Sequence, residues 1–276
     1  MHRRTFLKHS AFFLTMANAP LALAHTSEYI NNFPIDSHIK DQLTIKLDFN
    51  KNYNEDIFID TNLLPLLEIS VNRLKRVQKI VGYGNFCLLN FDDAIKIGKS
   101  YSRVGAFTKQ ELDFLEIIFY SQGENYGFMG KKPIQTITGK VIKKDIKKIP
   151  NTGNYLYRGK PVAMYAKIKN QLGKDVILTS GVRSIMKQFL LFLNKTKQSQ
   201  GNLSMASRSL APPGYSFHGI GDFDVGKKGY GIHNFTQRFT ETNIYKKLND
   251  LGFIKFRYEQ NNNLGVRFEP WHIEVT

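Results

Sequence analysis

Ala211-Pro212-Pro213-Gly214-Tyr215-Ser216-Phe217-His218-Gly219-Ile220-Gly221-Asp222-Phe223-Asp224-Val225-Gly226 decides how the C-terminal half of this chain is read. Two prolines and four glycines make it a loop, and it brings one histidine and two aspartates to where side chains can converge. Near the far end stands Glu269-Pro270-Trp271-His272-Ile273-Glu274-Val275. Together the two segments offer two imidazoles, a carboxylate and a spare carboxylate. Three N/O ligands with one position left open suit a catalytic zinc ion, which polarises a carbonyl and turns water into a nucleophile at neutral pH. A neighbouring glutamate can then take the proton and pass it to the leaving amine, and Glu269 is the candidate. Residues three apart on a regular strand face opposite sides, so Glu269 and His272 can share a pocket only if the chain bends between them. Pro270, which cannot donate to a strand ladder, favours that bend.

Outward from these segments, composition narrows the class. The chain has 276 residues, 42% of them hydrophobic and 13% aromatic, which fits a packed protein of one or two domains and not a disordered one. Its net charge of +16 suits an anionic partner such as a cell wall. A nucleic-acid partner is not expected, because no recognised nucleic-acid module is present. Basic residues are scattered except over Lys131 to Lys148, which reads as a solvated face or hairpin. Cys87 is the single cysteine, so a disulfide within the chain and a cysteine-rich zinc site are both excluded. It is expected to be a small buried apolar residue. His25, His38 and His233 have no setting comparable to that of His218 or His272.

Residues 1–24 read as an address. Arg3, Arg4 and Lys8 precede an apolar stretch from Ala11 to Ala24 that ends in Ala22-Leu23-Ala24, the layout of a secretory signal cleaved after Ala24. The apolar stretch is shorter than the ~20 residues a membrane span needs, so no stable membrane anchor is expected. Arg3-Arg4-Thr5-Phe6-Leu7-Lys8 resembles a twin-arginine signal, and the expected location is periplasmic or secreted.

Between the signal and the loop, periodicity and caps predict helices over Asn62 to Val81, from the Thr108/Glu111 capping box to Tyr120, from Pro161 to Leu172, and from about Ser184. Val176-Ile177-Leu178-Thr179 reads as a buried strand, and several short strands are expected in the last third. The resulting division is a mainly helical region over 25–130 and an α+β region over 131–276.

The residues now assembled resemble the VanY-type D-alanyl-D-alanine carboxypeptidases, zinc peptidases of peptidoglycan. That family carries Ser-x-His-x-x-Gly, then an Asp, then a distant Glu-x-Trp-His; here Ser216, His218, Gly221, Asp224, Glu269, Trp271 and His272 occupy those places. Thr179-Ser180-Gly181-Val182-Arg183-Ser184, with Gln188 five residues after the arginine, is similar to the family's Ser-Gly-Tyr-Arg-Ser segment. The resemblance implies a small antiparallel sheet flanked by helices and one Zn2+ per chain, held by His218, Asp224 and His272. Glu269 would be the general base, and Arg183 would steady the oxyanion or grip a substrate carboxylate. Gln188 and Ser216 would bind the peptide, with Trp271 a pocket wall or core residue and Tyr155 and Tyr157 flanking the cleft. The loop is one residue shorter than the family's before its aspartate, which leaves Asp222 as the alternative metal carboxylate. The implied substrates are peptidoglycan stem peptides, with release of a terminal D-alanine. An L,D-carboxypeptidase, a cross-link endopeptidase and a non-catalytic wall-binding protein are the alternatives.

Overall fold

The computed structural model describes residues 48–276, so the expected export signal, His25 and His38 lie outside the described residues. Residues 49–276 form one compact unit with eight α-helices and two small antiparallel sheets among the described residues, an α+β fold as expected.

Helix α1, Leu64–Val81, has Pro65 in its first turn, where a missing N–H costs nothing, and buries Leu67, Val71, Leu74 and Val77 as a single stripe. Gly82, at φ 83°, ends it. A short α2, Tyr83–Phe86, precedes α3, Phe91–Ser100, which Asn90 caps by accepting the Asp93 N–H at 2.9 Å. Helix α4, Lys109–Tyr120, carries the predicted capping box: Thr108 accepts the Glu111 N–H, and the Glu111 carboxylate accepts the Thr108 N–H. That same carboxylate, 0% exposed, takes two hydrogen bonds from Arg73 of α1, whose remaining donors reach the carbonyls of Val104 and Gly105. Sequence periodicity therefore becomes a locked helix pair.

The hairpin of β1, Ile146–Lys148, and β2, Tyr155–Tyr157, pairs Ile146 with Tyr157. In the basic run, Lys143, Lys144, Lys147 and Lys148 are exposed as expected, but Lys132 is half-buried, its ammonium 4.2 Å from the centre of the Phe119 ring and 5.2 Å from that of Tyr215. Burial lowers its pKa to about 8. Helix α5, Lys160–Leu172, stops at Gly173 and feeds β3, Val176–Ser180, followed by α6, Ile185–Gln198, capped by Ser184, and α7, Leu203–Ser207. Strand β4, Phe223–Lys227, α8, Asn243–Asp250, and β5, His272–Ile273, complete the order, and the sheet runs β3-β4-β5. The several strands expected in the last third reduce to β4 and β5. Thr242 caps α8 instead, and two 3-10 turns, Gly231–Phe235 and Gln237–Glu241, fill the space between.

Two cores result. One joins α1, α3 and α4 to Ile185, Phe189 and Phe192 of α6 and Leu203 of α7, so the expected division at 130/131 runs across a shared core. The other gathers Leu156, Ile168, Val176, Phe223, Val225, Trp271 and Ile273 around the sheet. Each such large side chain, fully buried, contributes on the order of 1.5–3 kcal/mol. Among the described residues no helix is long and apolar enough to cross a membrane. Cys87 is only half-buried; its thiol donates to the Tyr83 carbonyl at 3.4 Å, and burial pushes its pKa up.

Candidate metal centre

Strand alternation builds the centre. Phe223 and Val225 of β4 point into the core, so Asp224 between them points to the opposite face, where its direct partner across the β4–β5 pair is His272. His218 arrives on a 3-10 turn, Phe217–Gly219. The N–H groups of Ile220, Gly221 and Asp222 all reach the Phe217 carbonyl, at 3.0, 3.0 and 3.2 Å. Gly221 takes φ 149°, open to glycine and rare for other residues. This tight turn absorbs the one-residue shortening and brings Asp224 to His218.

The three side chains are buried, and one donor atom from each lies within 4.8 Å of the others. Asp224 Oδ1 is 3.2 Å from His218 Nε2 and 3.3 Å from His272 Nδ1, yet it has no hydrogen bond of adequate geometry. A buried carboxylate oxygen left open between two imidazoles needs an explanation, and a cation supplies one. The donor set of two nitrogens and one oxygen is what zinc accepts.

Each imidazole is oriented from behind. His218 Nδ1 lies 2.9 Å from the Gly181 carbonyl, which can only accept, so Nδ1 carries the proton and Nε2 faces Asp224. Gly181 itself is required, since a Cβ there would stand 2.0 Å from the Tyr155 carbonyl oxygen. His272 Nε2 lies 3.1 Å from Asp222 Oδ2, which turns Nδ1 toward Asp224. Burial and the nearby Arg183 lower the His218 pKa. For His272 burial acts the same way, but the surrounding carboxylates of Asp222, Glu269 and Asp224 outweigh it and push the ring up to about 9. Burial would raise the Asp224 pKa; His218, His272 and Arg183 hold it below the usual carboxylate range instead. Metal binding here is proton-linked, because the ligands must be deprotonated.

Glu269 and His272 are brought together by a turn. The His272 N–H donates to the Glu269 carbonyl at 3.1 Å, with Pro270 at the second position, which its fixed φ suits. Glu269 Oε2 ends 3.6 Å from His272 Nδ1, and Oε1 lies 3.8 Å from Arg267 Nε. Arg183 is held by Ser180 Oγ at 3.1 Å and Gln188 Oε1 at 3.3 Å, and one of its amino groups sits 3.5 Å from Asp224 Oδ2.

Gln188 is 1% exposed, and its amide is engaged at both ends, by Arg183 and by the Ala211 carbonyl. It stands between Arg183 and the Ala211 carbonyl. Ser216 is buried at the start of the His218 turn. Trp271 is 3% exposed, packed edge-on against Phe235 in the second core with the Arg267 guanidinium 5.0 Å from its ring centre. The Tyr157 hydroxyl donates to the Gly219 carbonyl at 2.7 Å, and the Tyr155 carbonyl accepts the Val182 N–H at 2.7 Å. Asp222 is 1% exposed and bonded to Arg257, outside the cluster of converging ligand atoms. Sequence reading passed over Arg257, Arg267 and Tyr258, whose ring lies 5.0 Å from that of His272.

Fold and site together define an α+β protein with, among the described residues, one buried His–Asp–His ligand set on a small antiparallel sheet. Residues 161–275 match the model of the VanY family, described as D-alanyl-D-alanine carboxypeptidase. Solved structures that resemble the chain include the LdcB LD-carboxypeptidase, at 23% identity and a TM-score of 0.37 over 47% of this chain and 62% of its own, less than two thirds of its length. A mutant of the vancomycin-resistance D,D-pentapeptidase VanY in complex with Zn(II) matches at 23% identity and a TM-score of 0.35, covering 47% of this chain and 77% of its own. VanYB in complex with D-alanine-D-alanine matches at 21% identity and a TM-score of 0.35, over 47% of this chain and 76% of its own. No curated protein matches the chain.

Proposed function

We propose that this protein is a zinc-dependent peptidoglycan carboxypeptidase that releases a terminal D-alanine from stem peptides, exported by the signal read at residues 1–24. The observation that carries the reading is the open Asp224 oxygen between His218 Nε2 and His272 Nδ1, with Glu269 on the same side of His272. The match of residues 161–275 to the VanY family supports the substrate class.

His218, Asp224 and His272 would hold the ion, which supplies Lewis acidity and makes a nucleophile of water at neutral pH. Glu269 would serve as general base, taking a proton from the attacking water and returning it to the leaving amine as the peptide bond breaks. Arg267 stands beside it, with Nε 3.8 Å from Glu269 Oε1. Arg183 points its guanidinium at the same pocket, where it meets the substrate's terminal carboxylate or the developing oxyanion with paired N–H groups. Ser180 and Gln188 hold Arg183 in place, so their share in the reaction is positional. The exposed basic hairpin and the overall positive charge draw the enzyme to an anionic wall.

The test is mass spectrometry of purified muropeptides incubated with wild-type protein and with Glu269→Gln. Loss of one alanine from pentapeptides by the wild type alone is the expected result. Cleavage of tetrapeptides would make the enzyme an L,D-carboxypeptidase, cleavage of cross-linked dimers an endopeptidase, and full activity in Glu269→Gln would sink the assignment of the base.

A further inference from the structure

Asp222 stands two residues before Asp224, just ahead of β4, with the His272 ring between the two carboxylates. Its two oxygens accept on every side. Oδ1 receives the N–H groups of Val275 at 2.9 Å and Thr276 at 3.3 Å, the Thr276 hydroxyl at 3.1 Å and an Arg257 amino group at 3.3 Å. Oδ2 receives Arg257 Nε and lies 3.1 Å from His272 Nε2. The Arg257 guanidinium that grips Asp222 also lies 3.7 Å from the centre of the Phe217 ring, beside His218, and donates to the Thr276 carbonyl.

We infer that Asp222 is a positioning residue whose carboxylate, clamped by Arg257, fixes His272 as the Nε2–H tautomer so that Nδ1 is the ligand atom. The inference rests on the metal-site reading above and adds to it. Every neighbour of Asp222 is a donor, so only a group that accepts on both oxygens fits. Asparagine is therefore not conservative here: in either orientation its NH2 faces donors. One guanidinium ties the turn carrying His218 to the strand carrying His272, so both ligands share a single clamp. Carboxylates behind metal-binding histidines act in this way, and their loss lowers metal affinity about 10–100-fold.

The experiment uses the full chain, labelled with 15N at histidine. In the metal-free wild type, above the His272 pKa of about 9 where the ring is neutral, two-bond 15N–1H correlations should show a protected proton on Nε2, and zinc should then shift Nδ1. Asp222→Ala and Asp222→Asn should lose that protected proton and weaken zinc binding, measured by chelator competition, about 10–100-fold. Arg257→Gln should give a smaller loss with the proton still on Nε2, and it serves if the Asp222 variants fail to fold. A folded Asp222 variant, or Arg257→Gln, that matches the wild type in both readouts would overturn the inference, as would a wild-type His272 with its proton on Nδ1. A wild type with the Nε2 proton that takes up no zinc would instead sink the metal reading and leave the tautomer assignment standing.

Discussion

Two carboxylates, Glu111 in the helical core and Asp224 in the sheet, are almost equally buried, at 0% and 4% exposure, and are treated in opposite ways. Glu111 is saturated: Arg73 meets both of its oxygens and the Thr108 N–H completes the set. Asp224 keeps Oδ1 open between two imidazoles that are themselves held from behind. Saturation makes a buried charge part of the scaffold, whereas an open lone pair in a dry place stores binding energy for a cation. The same element, a buried acid beside an arginine, thus serves structure in one half of the molecule and, in the function proposed above, a metal ion in the other.

The contrast can be broken most forcibly at the site. Glu269→Gln should lower kcat about 10²–10⁴-fold, the usual worth of a general base, while metal analysis still finds zinc bound. Next comes the scaffold: Glu111→Gln strands the Arg73 charge and should cost about 3–5 kcal/mol in denaturant unfolding. It should leave zinc affinity unchanged, and a change there would erase the distinction between the two carboxylates. Zinc at 100 times its Kd should stabilise the wild type by about 2.7 kcal/mol, visible as a rise in Tm. Asp224→Asn should abolish that rise, and Glu111→Gln should keep it. Smallest is Asn90→Ala, which removes the cap of α3 and should cost ~1 kcal/mol without touching metal binding.

Much of this was legible in the sequence, and the remainder was hidden for physical reasons. Helices α1, α4, α5 and α6 announced themselves through apolar stripes and the caps Pro65, Thr108, Pro161 and Ser184. Helix α3 also carried a signal, Asn90 followed by Asp92 and Asp93, and α8 had Thr242 before Ile244 and Leu248; both are short, and neither stood out from polar surroundings. The site's His218, Asp224, Glu269 and His272 sit in two compact stretches and were readable as a set. Asp222 stood as a rival to Asp224, because two aspartates one residue apart in a loop offer themselves equally to a ligand. What sequence could not supply was the pairing with β5 that slides His272 between them. Arg257 and Arg267 lack any local motif, since their partners lie in other segments. For Gln188 the resemblance implies a contact with the peptide, and only packing shows its amide held by Arg183 and the Ala211 carbonyl.

The close approach at Gly181 bears on where this chain can be cut. The VanY match begins at residue 161, but Tyr155, whose carbonyl lies against Gly181 and accepts the Val182 N–H, and Tyr157, which holds the Gly219 carbonyl, both precede it. Ser184, next to Arg183, is bonded to the carbonyls of Phe86 and Cys87, earlier still. A piece trimmed to the family boundary would keep His218, Asp224, Glu269 and His272 and lose backbone that packs against the segments carrying Arg183 and His218. The smallest unit that holds the candidate site together is therefore longer than the smallest recognisable one, and a protease that clips between α4 and β1 would strike at that site from a distance.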